Sequence, residues 1–543
     1  MTAVRAEGGA PAPAAGKGLK AGSLGLLSSV VIGVSSTAPG YAIAATIGGL
    51  VVLSGLHAPG IMLFAFLPML FIAYAYRELN RVAPDCGTTF TWATKAFGPR
   101  SGWMGGWGII AADVVVMASL AQIAGQYGFL LVGAEGLAGS LLWTTVVGCL
   151  WIAGLTWVCY RGIEVSARFQ YAMLTVEIVV LVLFSAVALI KVYAGQGLDP
   201  DLRPELSWFN PFAGSFSDFS AAVLLGVFIY WGWDSTVAVN EETRDATRTP
   251  GRAAVISTVI LVFIYTITCT ATIAFGGQGA FVDGEGAGVE DAFAVIGNDV
   301  LGGWFGKLLF FCILTSAAAS TQTTILPTAR ATLSMGAYQA LPAAFARIHP
   351  RYLTPTVSTW AMGGVSIAFF IVMAMISDNI LFDSASAVGL LIAFYYGITG
   401  FASFWWFLRR DPGRSVREVF ARIVFPLIGG LMLLFAFVKT LFDTYDAAMS
   451  YSVVNLFGLQ FGGVFAISVG SVVVGVILMV IASVYYPAFF RGETLNADTE
   501  IVVLESGELL LPPDGLALPD SREQTVVTTV ASRSRRSRRR RRR

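Results

Sequence analysis

The chain has 543 residues, of which 56% are hydrophobic and only 13% charged. A soluble domain carries about 25% charged residues, so a string of soluble domains is excluded and a polytopic membrane protein is implied. The net charge of +1 hides an uneven distribution: nine of the 35 basic residues fall in the last eleven positions, and the other 26 face 34 acidic ones.

A helix crosses the hydrocarbon core with about 20 mostly apolar residues. In chain order, residues 1–20 form an N-terminal tail, and the first apolar run covers 22–54. Further runs lie at 60–80, 101–132, 140–159 and 167–194, and the first five spans form a unit over 21–194. An outer loop, 195–217, leads to runs at 218–240, 252–276, 304–332, 356–377 and 381–408, a second unit over 218–408. Two more spans, 420–441 and 458–486, fall within 409–490, and 491–543 is a tail ending in ASRSRRSRRRRRR. The expected fold is therefore all-α with about twelve transmembrane helices. The runs are too long and too uniformly apolar for barrel strands.

Lys and Arg in the loops orient such a chain. With both ends inside, 31 basic residues fall on the inner side. Only Lys191, Arg203, Lys307 and Lys439 fall outside. This predicts a multi-pass protein of the cytoplasmic membrane with both termini cytoplasmic. The Arg-rich tail suits anionic lipid, where each basic residue contributes ~1 kcal/mol near the surface; no nucleic acid is expected. The scattered cysteines Cys86, Cys149, Cys159, Cys269 and Cys312 predict no disulfide, and nothing in the chain calls for a cofactor.

Two spans are broken. The first reads GVSSTAPGYA over 33–42, and Pro39, two glycines and three hydroxyls weaken a helix there. Unwinding is expected near Ser35, Ser36 and Thr37. The sixth reads FIYWGWDST over 228–236, where Gly232 sits in an aromatic cluster of Phe228, Tyr230, Trp231 and Trp233. Asp234 follows; a mid-span carboxylate costs at least ~2.5 kcal/mol unless satisfied. It either pairs with a cationic substrate or caps a second half-helix.

Interrupted helices in corresponding places are the best sequence pointer to a transporter site. Each break falls in the first helix of a five-helix unit, and an odd number of helices per unit makes the repeat inverted. Half-helix N–H groups bind a carboxylate, and half-helix carbonyls bind an ammonium. A ligand with both charges on one carbon fits between the breaks.

Two other buried carboxylates stand out. Glu177, in LTVEIVVLVL, is the leading candidate for proton coupling, with a structural hydrogen bond as the alternative; Asp113, in IIAADVVVM, is the second. Ser316, Ser320 and Thr321 offer hydroxyls for a sodium ion, although small hydroxyl residues also pack helices.

YRELNRVAPDCGTTFTWATKAFGPRSGW over 76–103, NEETRDATRTPGRA over 240–253 and ARATLSMGAYQALPAAFARIHPRYLTP over 329–355 carry a resemblance. The chain resembles bacterial permeases of the amino acid–polyamine–organocation superfamily over roughly 20–485. The resemblance implies a LeuT-type 5+5 inverted repeat plus two C-terminal helices. It implies that backbone N–H groups of Gly33, Val34, Ser35 and Ser36 meet a substrate carboxylate. It makes Phe228 the gating aromatic, and turns the carbonyls of Phe228, Ile229 and Trp231 to the amino group. The expected function is secondary transport of amino acids or related amines. Cationic amine transport, exchange and non-transporting nutrient sensing are the alternatives; an enzyme is not expected.

Overall fold

The computed structural model describes residues 17–282, 292–376, 380–446, 450, 452–456 and 459–501. Among them the structure is helical apart from one antiparallel hairpin, β1 (Val453–Leu456) and β2 (Leu459–Gly462), with Val453 opposite Gly462.

Ten stretches are long and apolar enough to cross a membrane. The first, Leu26–Val82, turns back at Gly55–His57 and so holds two crossings: α1 (Leu26–Ser36) with α2 (Pro39–Ser54), then α3 (Ala58–Val82). A short helix, α4 (Thr89–Phe97), precedes α5 (Pro99–Leu131), α6 (Leu141–Tyr160) and α7 (Ile163–Tyr193). The sixth crossing is split into α8 (Phe216–Ile229) and a single turn, α9 (Ser235–Ala238). Then come α10 (Thr249–Gly276), a half-buried α11 (Ala292–Leu301), α12 (Gly303–Ala337), α13 (Thr356–Ile376) and α14 (Ile380–Arg410). The last two crossings are α15 (Phe425–Asp443) and α16 (Gly463–Tyr485). With α1/α2 and α8/α9 counted as one broken span each, these helices make the twelve expected crossings.

Burial sorts the bundle. The most apolar windows of α5, α12 and α14 are 83%, 78% and 78% buried, whereas those of α6 and α16 are 28% and 22% buried. The first group forms the centre and the second presents apolar side chains to lipid. Small residues allow close approach in the centre, as membrane packing requires. A Cβ on Gly33 would lie 2.6 Å from the Ser257 hydroxyl of α10, and one on Gly226 would meet Ala65 of α3.

The two described ends meet on one face through a shared residue. Tyr338 donates its hydroxyl to Asp85 Oδ2 at 2.8 Å, and its carbonyl accepts from Thr494 Oγ1 at 2.6 Å. Residues 491–501, expected to belong to a tail, pack here: Leu495 is buried, as is Phe489 just before them, stacked on Phe90 at 5.4 Å. The Arg-rich end lies outside the described residues.

Candidate functional site

The first break is sharper than the sequence suggests. α1 stays helical through Ser36, and the interruption is Thr37–Ala38. Pro39 brings no N–H and takes the first turn of α2, where its absence costs nothing. Ala38 adopts φ 47°, ψ 61°, a left-handed conformation unusual for a residue with a Cβ. Thr37 closes the end of α1 by donating both its N–H and its hydroxyl to the Val34 carbonyl. The carbonyls beyond are taken from outside: Ser36 O accepts from Ser320 Oγ at 3.0 Å, and Thr37 O from the Tyr265 hydroxyl at 3.3 Å.

At the start of α2 the exposed donors already have an anion. Gly40 N–H donates to Glu177 Oε1 at 2.6 Å, and Tyr41 N–H donates to Ser316 Oγ at 3.1 Å. Ser316 in turn donates to the same Glu177 oxygen at 2.5 Å. Glu177 is fully buried, and its other oxygen has no hydrogen-bond partner.

The second break lies against the first. α8 ends at Ile229, and Gly232 turns the chain at φ 115°. A Cβ there would sit 2.6 Å from the Ser36 carbonyl oxygen, so glycine is required both for the dihedral and for the approach. Ser36 and Ser235 hydroxyls meet at 2.7 Å, joining the two breaks. Asp234 holds the N-cap position of α9, but its side chain makes no capping bond. Its carboxylate accepts from the Tyr395 hydroxyl at 3.1 Å instead.

Between the breaks is a small cavity of about 10 Å³ walled by buried residues, with room for about one water. Ser36, Thr37, Ala38, Tyr41 and Ala42 line it from the first break, Phe228 and Trp231 from the second, Val116 and Leu120 from α5, and Ser320 from α12. Of the residues expected at the site, Ser36, Thr37, Phe228 and Trp231 therefore face the cavity. Gly33, Val34 and Ser35 sit one turn back within α1, where Gly33 serves packing against α10. Ile229 and Tyr230 are fully buried behind the break; Tyr230 donates to the Met62 carbonyl at 3.2 Å. Trp233 turns away to pack edge-on against Tyr76 at 5.2 Å. Asp113 accepts from the Thr328 hydroxyl, tying α5 to α12. The hydroxyls of Ser316, Ser320 and Thr321 all donate within the protein, to Glu177, Ser36 O and Ala317 O.

Sequence reasoning missed Tyr395, Tyr41 and Tyr265. A tyrosine in a span is indistinguishable by composition from core, and only the fold reveals what its hydroxyl reaches. It also missed the closure on the termini face. There Tyr76 is surrounded by Trp92, Trp233 and Tyr396, with ring centroids 5.1, 5.2 and 5.6 Å away. Beneath these, Asn240 donates to Asn80 at 2.7 Å, and Asn80 to the Ala246 carbonyl at 2.7 Å. Arg330 forks onto Glu242 at 2.6 and 2.8 Å.

The N-terminal strap completes that closure. Leu24 lies beside Thr243, donating its N–H to the Glu242 carbonyl and accepting from the Arg244 N–H, and Lys17 Nζ reaches Asp85 at 2.7 Å and Glu241 at 2.5 Å. Asp85, Cys86 and Glu241 converge closely enough to hold a cation, and the Lys17 ammonium fills that role. Burial pushes the Asp85 carboxyl up, but Lys17 and donors from Ser334 and Gly87 outweigh it and hold the group below its ordinary value. Burial lowers Lys17, and its carboxylate partners carry it well above the lysine range.

A larger groove, about 950 Å³, lies between α5, α12, α13 and α16. Its lining is mostly apolar and contains no charged side chain, and it does not reach either helix break.

Two interrupted helices facing each other across a small buried cavity, inside a twelve-span bundle, define a secondary transporter of the broken-helix kind. The chain belongs to the amino acid permease family, whose sequence model matches residues 24–454. It is 24% identical over 388 residues to the low-affinity putrescine importer PlaP of Escherichia coli, covering 70% of this chain and 81% of that one. It is 25% identical over 402 residues to the branched-chain amino acid permease BcaP of Lactococcus lactis, covering 70% and 82%. A methylthioribose transporter of Bacillus subtilis is 24% identical over 327 residues, covering 57% and 66%.

Proposed function

We propose that this permease carries amino acids or related amines across the cytoplasmic membrane by alternating access, with the substrate held between the Thr37–Ala38 and Tyr230–Asp234 breaks. The observation that carries this reading is the contact of the breaks around one small cavity, through Ser36 with Ser235 and Gly232. Such unwound backbone is tolerated at membrane depth only inside protein or beside a cavity. The relatives support the chemistry: one takes a diamine and another branched-chain amino acids, and both carry an amino group.

The arrangement corresponds to an occluded state. Phe228 covers one side, and the Tyr76 cluster, Asn80–Asn240 and the Lys17 strap cover the other. Opening on the termini face requires Lys17 to leave Asp85 and Glu241. The distribution of Lys and Arg supports a cytoplasmic assignment for that face, and the Arg block then faces anionic lipid.

Coupling to protons runs through Glu177 in this reading. Its ionised form accepts from Gly40 and Ser316 and so pins α2 to α7 and α12. Protonation removes the charge that the α2 N-terminus favours and loosens that joint. A sodium ion is a weaker candidate, because small hydroxyl residues such as Ser316 and Ser320 also serve helix packing. Uptake into proteoliposomes under an imposed pH gradient, then under a sodium gradient, tests the assignment: proton-driven accumulation is expected, and accumulation driven only by sodium would refute it.

A further inference from the structure

Asp234 lies three residues beyond the cavity-lining Trp231, yet it does not line the cavity itself. A partition of two side chains stands between them. The Trp231 indole Nε1–H donates to the Tyr395 hydroxyl oxygen at 2.5 Å, and that hydroxyl donates to Asp234 Oδ2 at 3.1 Å. Trp231, Tyr395 and Asp234 are 6%, 1% and 6% exposed, so the chain of bonds is buried from end to end.

The backbone sets this up. Gly232, pressed against the Ser36 carbonyl at φ 115°, separates the residues on either side of it. Trp231 faces the cavity, Trp233 packs on Tyr76, and Asp234 is carried to Tyr395 on α14. The cavity wall is thereby left with hydroxyls and apolar groups and no charged side chain. A ligand with one ammonium and one carboxylate can be met by backbone dipoles and hydroxyls there. A second ammonium would be desolvated with no anion opposite it, and burying an unpaired charge is strongly unfavourable.

Resting on the reading of this cavity as the substrate site, we propose that Trp231, braced by Tyr395, is the specificity-determining residue that screens Asp234. It restricts transport to small substrates with a neutral side chain, and Asp234 is a latent subsite for a second ammonium.

The test is uptake by the full chain in proteoliposomes, with labelled alanine and leucine as neutral probes and lysine and putrescine as cationic ones. The wild type should favour the neutral probes by at least about tenfold in kcat/KM. Trp231→Ala should raise cationic uptake at least about tenfold, and adding Asp234→Asn should abolish that gain while uptake of the neutral probes persists. Trp231→Phe, which keeps a ring but loses the Nε1 donor, should move selectivity the same way by less and serves if the alanine variant does not fold. Equal wild-type uptake of both classes overturns the proposal. So does a gain in cationic uptake that survives Asp234→Asn, or a Trp231 variant that folds and shows no gain. Flux of neither class by the wild type would sink the transporter reading itself, a result distinct from flux with the wrong selectivity.

Discussion

The Glu177 carboxylate accepts the Gly40 N–H at 2.6 Å, so the anion that a bare half-helix N-terminus attracts is supplied by the protein itself. A substrate carboxylate arriving at the first break finds the α2 donors engaged by Glu177 and Ser316. In the proposed mechanism, binding and the charge state of Glu177 are linked through one short stretch of backbone.

Glu177→Gln keeps the shape and can still accept from Gly40, but cannot titrate. Proton-driven accumulation should fall at least about tenfold, while substrate counterflow, which needs no net proton movement, stays within about threefold of wild type. Undiminished accumulation in this variant would remove Glu177 from the coupling scheme.

Gly232→Ala should separate the two breaks. The new Cβ would meet Ser36 O at 2.6 Å in a backbone conformation that disfavours it. A loss of more than about 1 kcal/mol in stability is expected, with transport strongly reduced. The comparison is thermal unfolding in detergent beside uptake; a variant as active as wild type would show that the contact is dispensable.

Lys17→Ala leaves Asp85 and Glu241 buried without their cation, a change that costs roughly 3–5 kcal/mol for a buried pair. The closure should open more often. Cys86, fully buried behind the strap, is a natural reporter. In a chain retaining only that cysteine, maleimide labelling should accelerate in the Lys17 variant, and an unchanged rate would show that the strap does not seal this face.

Lys95 provides a pH signature of the docked C-terminal segment. It donates to the carbonyls of Thr499, at 2.5 Å, and Asn496. Burial, with Arg410 nearby, lowers its pKa to about 8 although Asp85 and Asp498 pull the other way. The folded form then binds fewer protons than the unfolded chain between pH 8 and the ordinary value of 10.5, so stability rises with pH across that window. Below pH 8 the penalty for the charged lysine is present in full. The wild type should thus gain Tm relative to Lys95→Met from pH 8 to 10; parallel curves would contradict this.

Much of the fold was legible because it is local. Run length gives the crossings, and Pro39 and Gly232 mark the breaks through backbone rules that need no partner. The site was legible in part. Ser36, Thr37, Phe228 and Trp231 line the cavity between the breaks, whereas α1 outlasts Gly33, because that glycine answers to Ser257 across α10 rather than to unwinding. What remained hidden acts at long range. Tyr395 lies 161 residues from Asp234, and Lys17 lies 224 from Glu241. Composition cannot say which of many buried tyrosines or terminal lysines completes a distant network.

The central claim is that the paired breaks bind and move an amino-group-bearing substrate. It is tested most directly by uptake of labelled neutral amino acids into proteoliposomes holding the full chain, with the interior made alkaline. Concentrative uptake that collapses with the pH gradient is the predicted result. No flux of any amino acid or amine, with or without a gradient, would contradict the account.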